Sequence, residues 1–190
     1  NGGASTDQII ATAGDDILDF STGPTLTSIE EIIGGNGNDT ITASTSVATS
    51  YRGSAGIDTF IVTTTSAEST ILDFDDAGDD RIDLTSFGLS AAQLQALTTQ
   101  VGVDIRIDLT SANGSGGAGS GDIVLVGTSL ASLDFSGATD FIISFCAQHR
   151  FPGQCPERKA ELRLRLCCNS CAAKPIIRRI PPFAFIIIFR

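Results

Sequence analysis

The chain has 190 residues, 22 acidic against 12 basic side chains, a net charge of -10, 20 glycines, five cysteines and one histidine, with no methionine or tryptophan. This length admits one domain or a domain and a half. The negative charge argues against a nucleic-acid binder, which needs a basic face, and the lone His149 leaves little room for a His-based triad or a His-rich metal site. No run of about 18 apolar residues is present, so no membrane span is expected. Asn1-Gly2-Gly3 lacks the basic start and apolar core of a signal peptide, and the missing Met suggests a processed chain or a fragment.

Charge divides the chain. Residues 1–145 hold 20 of the acidic residues and only Arg52, Arg81 and Arg106, for a net -17; residues 146–190 hold nine basic residues against Glu157 and Glu161, for a net +7. All five cysteines and five of the six prolines lie in the second part. Such a shift marks a boundary.

From the N-terminus a nine-residue pattern recurs. Gly34-Gly35-Asn36-Gly37-Asn38-Asp39-Thr40-Ile41-Thr42 reads G-G-x-G-x-D-x-U-x, with U a large apolar residue. The stretch from Gly53 keeps Gly53, Gly56 and Asp58 but has Ser54 for the second glycine. Gly2 to Ile10 keeps Gly2, Gly3 and Asp7, with Ser5 for the third. Ala11 to Asp19 keeps Gly14 and Asp16, and Thr25 to Ile33 is a fainter copy with Glu30 at the acidic position. The apolar positions Ile9, Leu18, Ile32, Ile41 and Phe60 are spaced by 9, 14, 9 and 19, which reads as a period of nine with two insertions.

Residue chemistry gives this pattern a physical sense. Glycines reach positive φ and can turn tightly, and the Asp adds a hard, charged oxygen of the kind Ca²⁺ selects. The x-U-x tail makes a short strand with one inward side chain. Nine residues form half a coil, so turns about 18 apart stack, and Asp39 and Asp58, 19 apart, fall in one column. Residues 1–80 carry a net -13. Stacked carboxylates repel unless a cation stands between them, so the roll is expected to fold on binding the ion.

The segment resembles the RTX (repeat-in-toxin) calcium-binding β-roll of secreted bacterial proteins. The resemblance implies Ca²⁺ ligation by Gly34, Gly35, Gly37, Asp39, Gly53, Gly56 and Asp58, and, from weaker repeats, by Gly2, Gly3, Asp7, Gly14 and Asp16.

Ile71-Leu72-Asp73-Phe74, followed by Gly78-Asp79-Asp80-Arg81-Ile82-Asp83-Leu84, supplies apolar residues to cover the end of a roll. Its acids, Asp79 and Asp83 among them, are candidates for another ion, or only for a charged surface hairpin. Ser90 and Gln93 form a capping box that opens a helix near 91–99, with Leu94 and Leu97 inward. Val101, Val103, Ile105, Ile107 and Leu109 alternate as one half-buried strand. Residues 113–121 are a Gly/Ser loop, and 122–127 and 140–145 read as further strands. Gly127-Thr128-Ser129-Leu130-Ala131 lacks the second glycine of a nucleophile elbow and reads as a turn.

Residues 1–145 are similar to the C-terminal domain of serralysin-type metalloproteases and related RTX proteins. That resemblance implies an all-β fold, a parallel β-roll followed by a capping β-sandwich with one short helix. It also implies export by the type I secretion machinery, an extracellular location and an upstream passenger domain. Asp140 to Ser144 is similar to the family's secretion-signal ending. The family's catalytic H-E-x-x-H is missing, so no catalysis is expected of this chain, although a parent protein can be a metallopeptidase or an RTX adhesin. The expected division is a roll at 1–70, a cap at 71–145 and a non-family tail at 146–190. For the tail, Cys155, Cys167, Cys168 and Cys171 allow zinc binding, 176–190 allows membrane contact, and translation out of frame explains the joint jump in Cys, Arg and Pro.

Overall fold

The computed structural model describes residues 6–22, 26–75, 79–112 and 121–143. Gly2, Gly3, His149 and the whole cysteine-bearing tail lie outside them.

The described residues form a parallel β-roll of about three coils, with one short helix. Its strands are β1 (Gln8–Ile10), β2 (Ile17–Asp19), β3 (Glu31–Asn36), β4 (Thr40–Thr42), β5 (Thr49–Ala55), β6 (Thr59–Ile61), β7 (Ser69–Ile71), β8 (Arg81–Asp83), β9 (Thr98–Val101), β10 (Asp104–Ile107), β11 (Ile123–Leu125) and β12 (Phe141–Ile142). Successive strands of the roll alternate between two sheets. One runs β1-β3-β5-β7-β11-β10-β9, the other β12-β8-β6-β4-β2. This is the half-coil logic of the nonapeptide: each x-U-x triplet makes a strand, and the Gly-rich sextet turns the chain to the opposite sheet.

Register follows the apolar positions. Ile32 pairs with Tyr51 and Tyr51 with Ile71 in one sheet; Leu18, Ile41, Phe60 and Ile82 align in the other. Ile32, Tyr51, Ile71, Ile41, Phe60 and Ile82 are all buried between the sheets. Each contributes about 1.5–3 kcal/mol of apolar burial, which the three-residue strands cannot gain singly. The 19-residue interval between Ile41 and Phe60 is therefore a full coil and not an insertion. Its missing half is β5, where Tyr51 holds the inward position without any Gly-Asp signature. Burial pushes the Tyr51 phenol up, and its oxygen accepts the Ser44 N–H at 2.8 Å.

Strands β9 to β12 continue both sheets. β11 lies parallel to β7, and β12 parallel to β8. Helix α1 (Ala91–Leu97) starts as expected on the Ser90–Gln93 capping box and buries Leu94, with Leu97 half-buried against the core. It stops two residues earlier than expected because Thr98 turns extended and enters β9.

The expected single strand from Val101 to Leu109 is instead a hairpin. Gly102, with φ 68°, and Val103 make a tight turn between antiparallel β9 and β10. Val101 and Val103 stand exposed while Ile105, Ile107 and Leu109 are buried. The two-residue loop reverses which face the odd positions take, since Val101 pairs with Asp104 and Ile105 with Gln100; apolar residues happen to hold the odd positions on both sides of the turn, so periodicity alone did not reveal the break. Gly127 to Ala131 is a turn, as read, held by the Gly127 N–H on Asp104 Oδ1 at 2.8 Å.

The first coil is the least covered. Ile9 and Leu18 are only half-buried, and Ile10 and Ile17 are exposed.

Candidate metal centre

The aspartates at the sixth position of the repeat stand in a column at the entry to β2, β4, β6 and β8. Each later Asp caps the earlier one. Asp39 Oδ1 accepts the Asp16 N–H at 2.8 Å, Asp58 Oδ1 accepts the Asp39 N–H at 2.8 Å, and Asp80 Oδ1 accepts the Asp58 N–H at 2.9 Å. A second, outer ladder runs beside it: Asp15 Oδ1 accepts the Asn38 N–H and Asn38 Oδ1 accepts the Ile57 N–H. These side chains satisfy backbone donors that the Gly-rich turns leave free.

The column leaves two oxygens over. Asp39 Oδ2 and Asp58 Oδ2 are buried and have no hydrogen-bond partner. The described ion pairs join Arg52 to Glu31 and Asp73, and Arg106 to Asp122; neither Asp39 nor Asp58 has one. A buried acceptor left unsatisfied costs about 1–3 kcal/mol, and more when charged. The strain registers in the acidities. Burial, with the nearby charges of Asp80, Asp39 and Asp73 adding to it, pushes Asp58 up to about 6, against the pull of the Asp39 N–H. Burial also raises Asp80.

The glycines frame these oxygens. A Cβ at Gly34 would collide with Asp39 Oδ2, and one at Gly53 with Asp58 Oδ2. Gly35 and Gly37 take φ of 109° and 126°, and a Cβ at Gly37 would strike the Gly14 carbonyl. The turns thus stack backbone to backbone, with two bare carboxylate oxygens enclosed. Hard oxygens stripped of hydrogen bonds and set against glycine backbone fit a cation such as Ca²⁺. Among the described residues no three His, Cys, Asp or Glu side chains converge, so a cation here would draw on backbone oxygens as well as on Asp39 and Asp58.

The other expected ligands distribute unevenly. Gly14 and Asp16 belong to the column's first turn, with Asp16 Oδ2 taken by the Thr12 N–H and hydroxyl. Asp7 sits on the opposite side of the roll, where its N–H donates to Glu30 Oε2, a faint counterpart of the Asp ladder. Asp79 is exposed with φ 74°, and Asp83 Oδ1 is occupied by the Thr85 N–H; neither joins the column. The position belongs to Asp80, which sequence reading passed over in favour of its neighbours. The signal was available: Asp80 precedes Arg81-Ile82-Asp83 as Asp58 precedes Thr59-Phe60-Ile61.

Asp73 ends the glycine stack. Its Oδ1 and Oδ2 accept the Gly53 and Ser54 N–H groups at 3.1 and 3.0 Å, where a further turn would otherwise follow. Ser54 is in register with Gly35 and is forced to φ 81°. Replacing Ser54 with Gly is expected to stabilise the fold by about 1 kcal/mol, since only glycine adopts that conformation without strain. A denaturant midpoint unchanged or lowered in S54G would count against this.

Residues 24–113 match the family described as Peptidase M10 serralysin C terminal, and the resemblance read from the repeats holds over this segment. Among solved structures, the chain is similar to the extracellular lipase LipA from Serratia marcescens, at 18% identity and a TM-score of 0.38. That likeness covers 67% of this chain and 20% of the lipase, so the chain spans about a fifth of that structure's length. No curated protein matches the chain. Among the described residues, no helix is long and apolar enough to cross a membrane.

Proposed function

We propose that this chain is the calcium-binding, noncatalytic C-terminal module of a bacterial protein exported by a type I system, and that its roll folds on meeting Ca²⁺ outside the cell. The observation that carries this reading is the pair of buried, unpartnered oxygens, Asp39 Oδ2 and Asp58 Oδ2, within a column of stacked carboxylates. Bound there, the ion supplies the positive charge that the column lacks. Asp39 and Asp58 would hold it, with Gly34 and Gly53 keeping the space beside their Oδ2 atoms free of side chains and Gly35, Gly37 and Gly56 letting the turns stack backbone to backbone. Gly14 and Asp16 complete the adjoining turn. Residues 1–70 are then the ion-holding roll, 71–145 its cap, and 146–190 a segment outside the module.

The serralysin C-terminal match supports export and an upstream passenger, with the ion as folding trigger. It equally supports a second reading, in which the passenger is a zinc peptidase domain: H-E-x-x-H in the parent protein would assign it there, and long tandem repeats would assign an adhesin.

Circular dichroism during a calcium titration tests the proposal. The β signal is expected to rise cooperatively with Ca²⁺, with about 2.7 kcal/mol of stabilisation per site at a hundredfold excess over Kd. Magnesium, which demands a tighter octahedral shell, is expected to act far more weakly. A roll fully formed in chelator, and unmoved by Ca²⁺, would overturn the reading.

A further inference from the structure

The turn that frames the candidate site contains the dipeptide Asn36-Gly37. We propose that Asn36 is a deamidation site that the closed roll holds silent and that opening of the roll releases.

The reaction needs the Gly37 backbone nitrogen to attack Asn36 Cγ. A C–N bond forms, the Cγ–NH₂ bond breaks, and ammonia leaves, giving a five-membered succinimide. Water then opens either carbonyl of the ring, to Asp or to iso-Asp. The balance is one water in and one ammonia out, with no redox change. Glycine as the following residue favours the attack because no Cβ shields its nitrogen.

Water and access are not what prevents it here, because the Asn36 side chain is exposed at the end of β3. The backbone prevents it. The Gly37 N–H is committed to Ala55 O at 2.8 Å, and Asn36 O accepts the Gly14 N–H at 2.6 Å. Asn36 is also fixed in parallel register with Ala55, and Gly37 is held at φ 126° against the Gly14 backbone. Turning the Gly37 nitrogen toward Cγ breaks both hydrogen bonds and unstacks two neighbouring turns. Nearby Asn38 differs: its carboxamide oxygen accepts the Ile57 N–H, and the next residue, Asp39, carries a side chain and donates its N–H to Asp58. Asn36 is therefore the residue of this turn that ages.

The consequence is directional. Both products place a new carboxylate beside the column, and iso-Asp adds a backbone methylene where the turns pack without room for a Cβ. A chain that ages while open is expected not to close again in register.

The closed-state block rests on the fold alone; its dependence on calcium rests on the function proposed above. The test is site-resolved mass spectrometry of amide-to-acid conversion at Asn36 in the full chain, incubated at mildly alkaline pH with Ca²⁺, with chelator, or in concentrated urea. A synthetic peptide of residues 33–42 gives the unconstrained rate. Conversion with Ca²⁺ is expected to be at least about tenfold slower than in the peptide, since it must pass through an opened state, and in urea to match the peptide. Equal rates with Ca²⁺ and in the peptide would overturn the proposal, as would silence in urea. Protection in chelator equal to that with Ca²⁺ would support the closed-state block and sink the calcium reading instead.

Discussion

A Gly56→Ala variant is expected to lose more than about 3 kcal/mol of stability, enough to leave the roll largely open even with calcium. Two costs add. Gly56 sits at φ 135°, where an L side chain is strained by about 1–3 kcal/mol. Its Cβ would also stand on the Gly37 carbonyl, only 2.6 Å from the carbonyl carbon, and backbone cannot swing aside as a flexible side chain can. Gly14, at the same repeat position, separates the two. It has φ 139° but nothing within 4 Å of its Cβ direction, so Gly14→Ala carries only the conformational cost. Denaturant midpoints for the two variants should therefore differ by the steric part, with G56A well below G14A. Equal midpoints would mean that the turns are not packed backbone to backbone.

Neutralising Asp58 is expected to act in opposite directions with and without the ion. Asn keeps the oxygen that accepts the Asp39 N–H but removes a buried charge crowded by Asp39, Asp73 and Asp80. In chelator at pH 7, D58N should be more stable than the wild type, by the order of 1 kcal/mol. With Ca²⁺ it should be less stable, because a cation ligand has lost its charge. The same group sets a pH dependence. The folded wild type holds a proton on Asp58 up to about 6, whereas the unfolded chain releases it near 4. Folding thus takes up a proton between those values, and stability in chelator should fall as pH rises from about 4 to 6. Asp108, held down to about 2 by the Thr110 and Ser111 hydroxyls, works the other way and loses its contribution only below about 4. Chelator melts of the wild type rising from pH 4 to 7 would contradict the burial of Asp58, and D58N should flatten the curve in this window.

The roll and its aspartate column were legible in the sequence because one residue type recurs for one reason. Gly37 and Gly56 are needed where backbone meets backbone, and Asp39 and Asp58 where a strand begins, so the 19-residue offset carried the stacking directly. What was not legible lacked such a marker. Tyr51 fills an inward position after a turn without glycine or aspartate, because the Ser44 hydroxyl accepts the Ser46 and Val47 N–H groups there. The Val101–Leu109 hairpin hid behind unbroken alternation, with Gly102 as its one trace. Asp80 was masked by the run of acids around it; burial, not residue type, distinguishes it from Asp79 and Asp83.

The central claim is that Asp39 and Asp58 together hold a calcium ion inside the roll. Isothermal titration of Ca²⁺ into the wild type and into a double Asp39→Asn, Asp58→Asn variant tests it most directly. Saturable binding is expected of the wild type, with at least one site lost in the double variant, although its neutral side chains can still cap the same N–H groups. Binding of the same number of ions with the same affinity by both proteins would contradict it.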